Sequence, residues 1–272
     1  MNVEDKFNIQ IDPGDRPDKA RFINGVRDLL TKVLGSQAGR ALAASLRYQD
    51  KAVLLVPYDS DGPGDSNAQE SWWGAKAEDN FSTVAFTPGV SGCVSCSSKS
   101  SGHRFAHLPQ EVLFHELVHS LRRTSGHMHK WNLAGSRLAS YTHSEEFVAI
   151  LTTNIYISDV TNHHKTGLRA DHQGHEPLDP RLAGSFKFFS SGTKAFNLIA
   201  NFCEENHGFT TMLSHVHAPF NPVKAYLQNR QKAFDIAAGG DADNYLGDMA
   251  MDSMFLQDDS GTYQKTFAGP NI

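Results

Sequence analysis

The sequence has only three cysteines in 272 residues, too few for a disulfide framework. It has no apolar run approaching the ~18 residues that a membrane span needs, so no span is expected. It also lacks the basic start and apolar stretch of a cleaved secretory signal, because MNVEDKFNIQIDPGD is polar and acidic. Strong charge of one sign is missing as well. A formal net charge of −5 supports neither a nucleic-acid partner nor an acidic-tail reading. What remains is a chain of ordinary globular composition, long enough to bury a full core.

Two of the cysteines, Cys93 and Cys96, form a CxxC in the loop GCVSCSSKSSG. A zinc knuckle there needs two further ligands, and only Cys203 and scattered histidines are on offer. A local disulfide requires an oxidising compartment. Two ordinary loop thiols are the default expectation. Histidine is the residue in excess, at 14 positions, which makes any single one uninformative.

Residues 1–18 read as a polar lead-in, 19–240 as one domain, and 241–272 as an acidic, glycine-containing C-terminal arm. From Lys19 to Leu34 the apolar residues Phe22, Val26, Leu29, Leu30, Val33 and Leu34 have helical spacing, with Gly35 as a stop. A second helix is expected over 38–47. Ala52–Pro57 is an apolar run of strand length, and Phe81–Phe86 alternates as a strand does. LPQEVLFHELVHSLRR predicts a helix that opens at Pro109, where the missing N–H costs nothing, with Val112, Leu113, Leu117, Val118 and Leu121 as its apolar face. SEEFVAILTTNIYISD predicts another, with Ser144 as candidate N-cap and carboxylates in the first turn. Residues 160–190 look irregular, and further helices are expected near 193–205, 208–216 and 221–238. The class this implies is α+β, mostly helical with a small mixed sheet.

The chemistry is concentrated at His115-Glu116-Leu117-Val118-His119, an HExxH sequence. Positions i and i+4 of a helix share a face, so both imidazoles reach one metal ion. Glu116 leaves the same helix beside them, placed to take a proton from a metal-bound water. Zinc lowers the pKa of such a water to about 7 and polarises a scissile carbonyl. Two histidines leave zinc short of a third protein ligand. The extension HExxHxxGxxH fails, because Arg122 stands at the glycine position and Ser125 at the last histidine position. A glutamate from the following helix is the alternative, and Glu145-Glu146 offers two. Adjacent residues cannot both face the metal. Glu146 is favoured, since Ala149 and Asn154 lie on its face and allow close approach; Glu145 would then orient a ligand histidine. The opposite assignment stays open. So does a reading in which the pair only stabilises a helix N-terminus. Asn154 is a further supporting candidate.

Stabilising a developing oxyanion calls for a donor or cation. Tyr141, His143, Tyr156, Arg169 and His172 are the candidates, with Arg169 of GLRADH first. His163, His164, His172 and His175 lack helical spacing and read as loop residues, while His127 and His129 lie near enough to line a cleft. Phe81–Phe86 is a candidate edge strand, to which an extended peptide would add; a core strand is the equal alternative.

LFHELVHSLRRTSG, followed by SEEFVAILTTNIYISD and GLRADH, resembles the gluzincin type of zinc metallopeptidase. Within that type it looks most like effector metallopeptidases injected by bacterial secretion systems, including toxin domains at the C-termini of type VI spike proteins. A fainter similarity is to clostridial neurotoxin light chains. About 60 residues carry the resemblance. It implies a zincin-like fold, a Zn2+ cofactor held by His115, His119 and one of Glu145 and Glu146, and Glu116 as base. It also implies a secreted toxin without a cleaved signal peptide, delivered into the cytoplasm or periplasm of a target cell. The partners would be a protein or peptide substrate, a secretion-system carrier or an immunity protein. The CxxC loop and the His-rich 160–175 segment depart from the pattern. Two other classes remain in play: a zinc hydrolase acting on cell-wall peptide amides, and a non-catalytic binding module holding a structural metal.

Overall fold

The two strand-length apolar runs pair with each other. Ala52–Pro57 (β2) and Phe81–Phe86 (β4) lie parallel, with Ala52 opposite Phe81 and Pro57 opposite Phe86. Ile9–Ile11 (β1) adds to β2 in parallel, and Ala68–Ser71 (β3) adds to β4 antiparallel. The resulting four-stranded mixed sheet has the order β1-β2-β4-β3. The computed structural model describes residues 2–58, 68–71, 81–86, 88, 108–161, 167–171 and 176–240. The Cys93–Cys96 loop, His163, His164, His172, His175 and the C-terminal stretch 241–272 lie outside the described residues.

The structure takes the second of the two alternatives for Phe81–Phe86 and gives residues 1–18 a strand. Phe81–Phe86 is an inner strand rather than an edge, because the polar segment Ala68–Ser71 pairs along its outer side. The supposed lead-in carries β1, and it buries Phe7 and Ile9. It is also tied to the first helix, where Arg27 Nε donates to Glu4 Oε1 at 3.0 Å.

The helices follow the apolar spacing closely. They are α1 (Lys19–Leu34), α2 (Gln37–Arg47), α3 (Pro109–Thr124), α4 (Ser144–Thr161), α5 (Thr193–Glu205), α6 (His207–Ser214), α7 (Pro222–Gln228) and α8 (Arg230–Gly240). Phe22, Val26, Leu29, Leu30 and Val33 form the buried stripe of α1. The chain then turns tightly into α2. Ser36 Oγ accepts from Gly39 N at 2.8 Å, and a Cβ at Gly39 would sit 1.8 Å from the Val33 carbonyl oxygen, so the turn requires glycine there. The single helix expected over 221–238 is two. Asn229 leaves the helical conformation at φ −155°, and its Oδ1 accepts from Lys232 N at 3.0 Å to open α8.

α4 is the central element. Every residue from Ser144 to Ser158 is buried, as befits a helix apolar on nearly all sides. Two of its threonine hydroxyls are satisfied within the helix: Thr152 donates to Val148 O at 2.8 Å and Thr153 to Ala149 O at 2.7 Å. α3 packs between α4 and the sheet, touching β4, and Ser82 Oγ of β4 donates to Ser120 Oγ of α3 at 3.1 Å. α5 lies on another side of α4 and leads into α6, α7 and α8. Among the described residues no helix is long and apolar enough to cross a membrane. The architecture is α+β, mostly helical with a small mixed sheet, as the sequence implies at that level.

Candidate metal centre

The start of α3 is fixed by its own sequence. Pro109 occupies the first turn, and Glu111 reaches back so that its Oε2 accepts from Leu108 N at 3.1 Å. Burial pushes the Glu111 carboxyl up. From that start, His115 and His119 fall one turn apart on a buried face. Their rings stand perpendicular with centroids 4.7 Å apart, and the two Nε2 atoms are 3.1 Å apart.

The start of α4 is built differently from the expectation. Ser144 does not cap the helix. His143 does, its Nδ1 accepting from Glu146 N at 3.2 Å. The Ser144 hydroxyl is thereby free to tie down the incoming chain, donating to His129 O at 2.6 Å and accepting from Trp131 N at 3.0 Å. Just before the cap, Thr142 has φ 63° and ψ −59°, and His143 N bonds Tyr141 O at 2.8 Å. This is a γ-turn of the strained hand, rare for a β-branched residue.

The turn delivers the two glutamates to different partners. Glu146 Oε2 is 3.2 Å from His115 Nε2, and its Oε1 is 3.4 Å from His119 Nε2. Ligand atoms of His115, His119 and Glu146 all lie within 4.8 Å of one another, and all three residues are buried. Glu145 faces the far side of His119, its Oε1 3.2 Å from Nδ1, while its Oε2 accepts from Arg122 Nε at 2.7 Å. Adjacent residues thus divide as expected, Glu146 into the cluster and Glu145 behind it.

The cluster is electrostatically coupled. Burial pushes the His115 imidazole down to about 3. Burial acts the same way on His119, but the charge of Glu146 and the hydrogen bonds to Glu145 and Glu146 outweigh it and hold this imidazole well above its ordinary value. Burial would raise both glutamates; the His119 charge keeps Glu146 low, and the His119 hydrogen bond and Arg122 charge keep Glu145 low. Without a metal, His119 therefore carries the positive charge that offsets the carboxylates. A divalent cation at the same place does the same job. Two imidazole nitrogens and one carboxylate oxygen are a donor set that catalytic zinc takes, and among the described residues no fourth His, Cys, Asp or Glu joins the group. The residues fit a metal ion on both counts.

Glu116 is only half-buried, and its charge acts on both His119 and Arg169, which puts it beside the cluster. Arg169 arrives from the loop after α4. Asn154 pins its backbone in both directions: Arg169 N donates to Asn154 Oδ1 at 3.1 Å, and Asn154 Nδ2 donates to Arg169 O at 2.9 Å. An Arg169 guanidinium nitrogen then lies 3.0 Å from His115 Nδ1.

The other expected residues are not among the three ligands. Tyr156 stacks on Phe114 at 4.4 Å within the core, and burial raises its phenol. Tyr141 is buried, its ring steeply inclined to that of Phe147 at 5.2 Å, and the charges of Asp171 and Arg169 act on its phenol. His129 stacks parallel on Trp131 at 5.3 Å. Cys203 is buried on α5, where burial pushes its thiol up to about 12, and it takes no part in the cluster. His172 lies outside the described residues. One functional candidate was not anticipated. Arg122, which in the sequence only broke a metal motif, is 3% exposed and sits directly behind Glu145. An arginine in the last turn of a helix reads as a surface residue favoured by the helix dipole, so no local signal marks it. In comparisons with known proteins, no family model matches the chain, and no curated protein or solved structure matches it.

Proposed function

We propose that the chain is a zinc-dependent metallopeptidase of gluzincin type, with His115, His119 and Glu146 holding the ion and Glu116 as general base. The observation that carries this reading is the convergence of three buried ligand atoms, each within 4.8 Å of the others, beside a half-buried glutamate next in sequence to the first histidine. Three ligands among the described residues leave a position open, the arrangement that separates catalytic from structural zinc. When bound, zinc supplies a polarised carbonyl and a water acidified to a pKa of about 7.

The chain's own groups do the rest. Glu116 takes the proton of the attacking water and returns it to the leaving amine. Glu145 holds the Nδ1–H of His119, so that its Nε2 lone pair points at the cluster. Arg169 places a buried positive charge beside His115, suited to offset the negative charge that grows on the carbonyl oxygen. The α+β architecture with α3 against the sheet is compatible with a zincin-like fold. The resemblance of residues 113–126, 144–159 and 167–172 to secretion-system effectors makes a protein of a target cell the proposed substrate.

The test is cleavage of a diverse peptide library by the zinc-loaded chain and by Glu116→Gln. The expected result is hydrolysis by the wild type, reduced about 10²–10⁴-fold in a variant that still binds zinc. Equal cleavage by both would contradict the assignment of Glu116. Release of cell-wall peptides without cleavage of library peptides would move the chain to the amidase reading. No hydrolysis of either substrate would favour a binding module.

A further inference from the structure

We propose that Arg122 is a positioning residue of the metal centre, acting through Glu145 on His119 and tying the end of α5 to the site. The inference rests on the zinc reading above. Arg122 lies in the last turn of α3, yet it is buried. A buried guanidinium is costly unless its donors are all met. Here they are met from three directions. Nε donates to Glu145 Oε2 at 2.7 Å. Nη1 donates to Asn206 Oδ1 at 2.6 Å and to Glu205 Oε2 at 3.2 Å. Nη2 donates to the His127 carbonyl and to Glu205 Oε2 at 3.2 Å. The Phe202 ring of α5 lies 5.6 Å from the guanidinium carbon.

A planar fork held this way cannot rotate without breaking several charge-assisted bonds together. Glu145 Oε2 is therefore fixed, and the other carboxylate oxygen is left facing His119 Nδ1 at 3.2 Å. With that nitrogen held, the ring has one orientation, in which Nε2 meets His115 and Glu146. The chain Arg122–Glu145–His119 thus makes the ligand geometry depend on Glu205 and Asn206, which touch no ligand directly. A lysine could not replace it, because one ammonium does not span the three directions. The competing account is a plain structural clamp between α3 and α5.

The experiment is zinc affinity, by competition with a chromophoric chelator, for the wild type, Arg122→Met, Glu145→Gln and the double variant. Wild-type binding comes first. Its absence overturns the zinc reading and this proposal with it, before any variant is made. With binding established, Arg122→Met is expected to weaken zinc about 10–100-fold, as does loss of a ligand's supporting partner. Glu145→Gln should do the same, and the double variant should be no more than about twofold worse than Glu145→Gln, since both act by one route. Unchanged affinity in folded Arg122→Met, or losses that multiply in the double variant, overturns the proposal. Should Arg122→Met fail to fold, Asn206→Ala removes the 2.6 Å anchor and leaves Glu145 and His119 untouched. A severalfold weaker zinc affinity in that variant supports the relay, and an unchanged one overturns it.

Discussion

The contact between α3 and α4 buries ions beside its apolar side chains, whereas the packing of α5 to α8 buries mainly aromatic ones. Between α3 and α4 the interior holds His115, His119, Glu145, Glu146, Arg122 and Arg169, each within reach of an oppositely charged or hydrogen-bonding partner. Among the C-terminal helices the interior is aromatic. Phe196 meets Tyr226 at 5.5 Å and Phe234 at 5.4 Å, both near-perpendicular, and Phe202 meets Phe209 at 6.2 Å. Aromatic burial stabilises in proportion to area and tolerates small shifts. Buried ions cost free energy to desolvate and recover it only at one geometry. The first region should therefore govern what the protein binds, and the second whether it folds.

His115→Ala should separate the two most sharply. Zinc affinity is expected to fall by more than the roughly hundredfold upper cost of losing a supporting partner. The metal-free protein should lose only about 1 kcal/mol, an ordinary value for one substitution. Chelator competition and urea unfolding in EDTA read the two quantities. Phe196→Ala should do the reverse, costing about 3–5 kcal/mol of stability while the folded fraction binds zinc as the wild type does. A matched loss of zinc affinity in Phe196→Ala would erase the distinction.

A third prediction concerns pH in the metal-free protein. His115 has a depressed folded pKa of about 3, so the unfolded chain binds its proton first and stability falls as pH drops from about 6.5 toward 3. His119 has a raised folded pKa, so its contribution is fully present below about 6.5 and is lost as pH rises through the raised value. Glu145 and Glu146 are depressed, and their contribution is lost only in strong acid, below their usual range near 4.3. Stability in EDTA should peak near pH 6.5 and fall on both sides, and the fall on the alkaline side should vanish in His119→Ala. A flat profile would mean that the cluster is not coupled as described.

The smallest effect is expected at Thr142. Glycine there removes strain of about 1–3 kcal/mol and adds about 0.5–1 kcal/mol of unfolded-chain entropy. Thr142→Gly should therefore stabilise the protein slightly, while loosening the turn that presents Glu146 and weakening zinc severalfold. Opposite signs for stability and affinity are the signature, read by thermal melts and the same competition assay.

The three residues of the candidate cluster are legible in the sequence because two of them are local to one helix. HExxH spacing puts two imidazoles on one face whatever surrounds the helix, and the small Ala149 beside Glu146 pointed to the glutamate that enters the cluster. What was not legible depends on partners distant in the chain. β1 is only three residues long and becomes a strand by pairing with β2, more than forty positions away. Phe81–Phe86 is interior only because Ala68–Ser71, which has no apolar alternation, covers it. Ser144 had the chemistry of an N-cap, but a histidine one position earlier took the role. Arg122 carries no local signal of its burial because Glu205 and Asn206, its anchors, lie more than eighty positions on.

The central question is whether the cluster between α3 and α4 binds zinc through the residues named. Elemental analysis of the purified chain, beside His115→Ala, Glu145→Ala and Glu146→Ala, asks this directly. About one zinc per chain is expected, as a single catalytic site holds. Loss of that zinc is expected in His115→Ala and Glu146→Ala, and retention at lower affinity in Glu145→Ala. No zinc in the wild type after the metal is added back, or zinc kept by Glu146→Ala and lost by Glu145→Ala, would contradict this assignment.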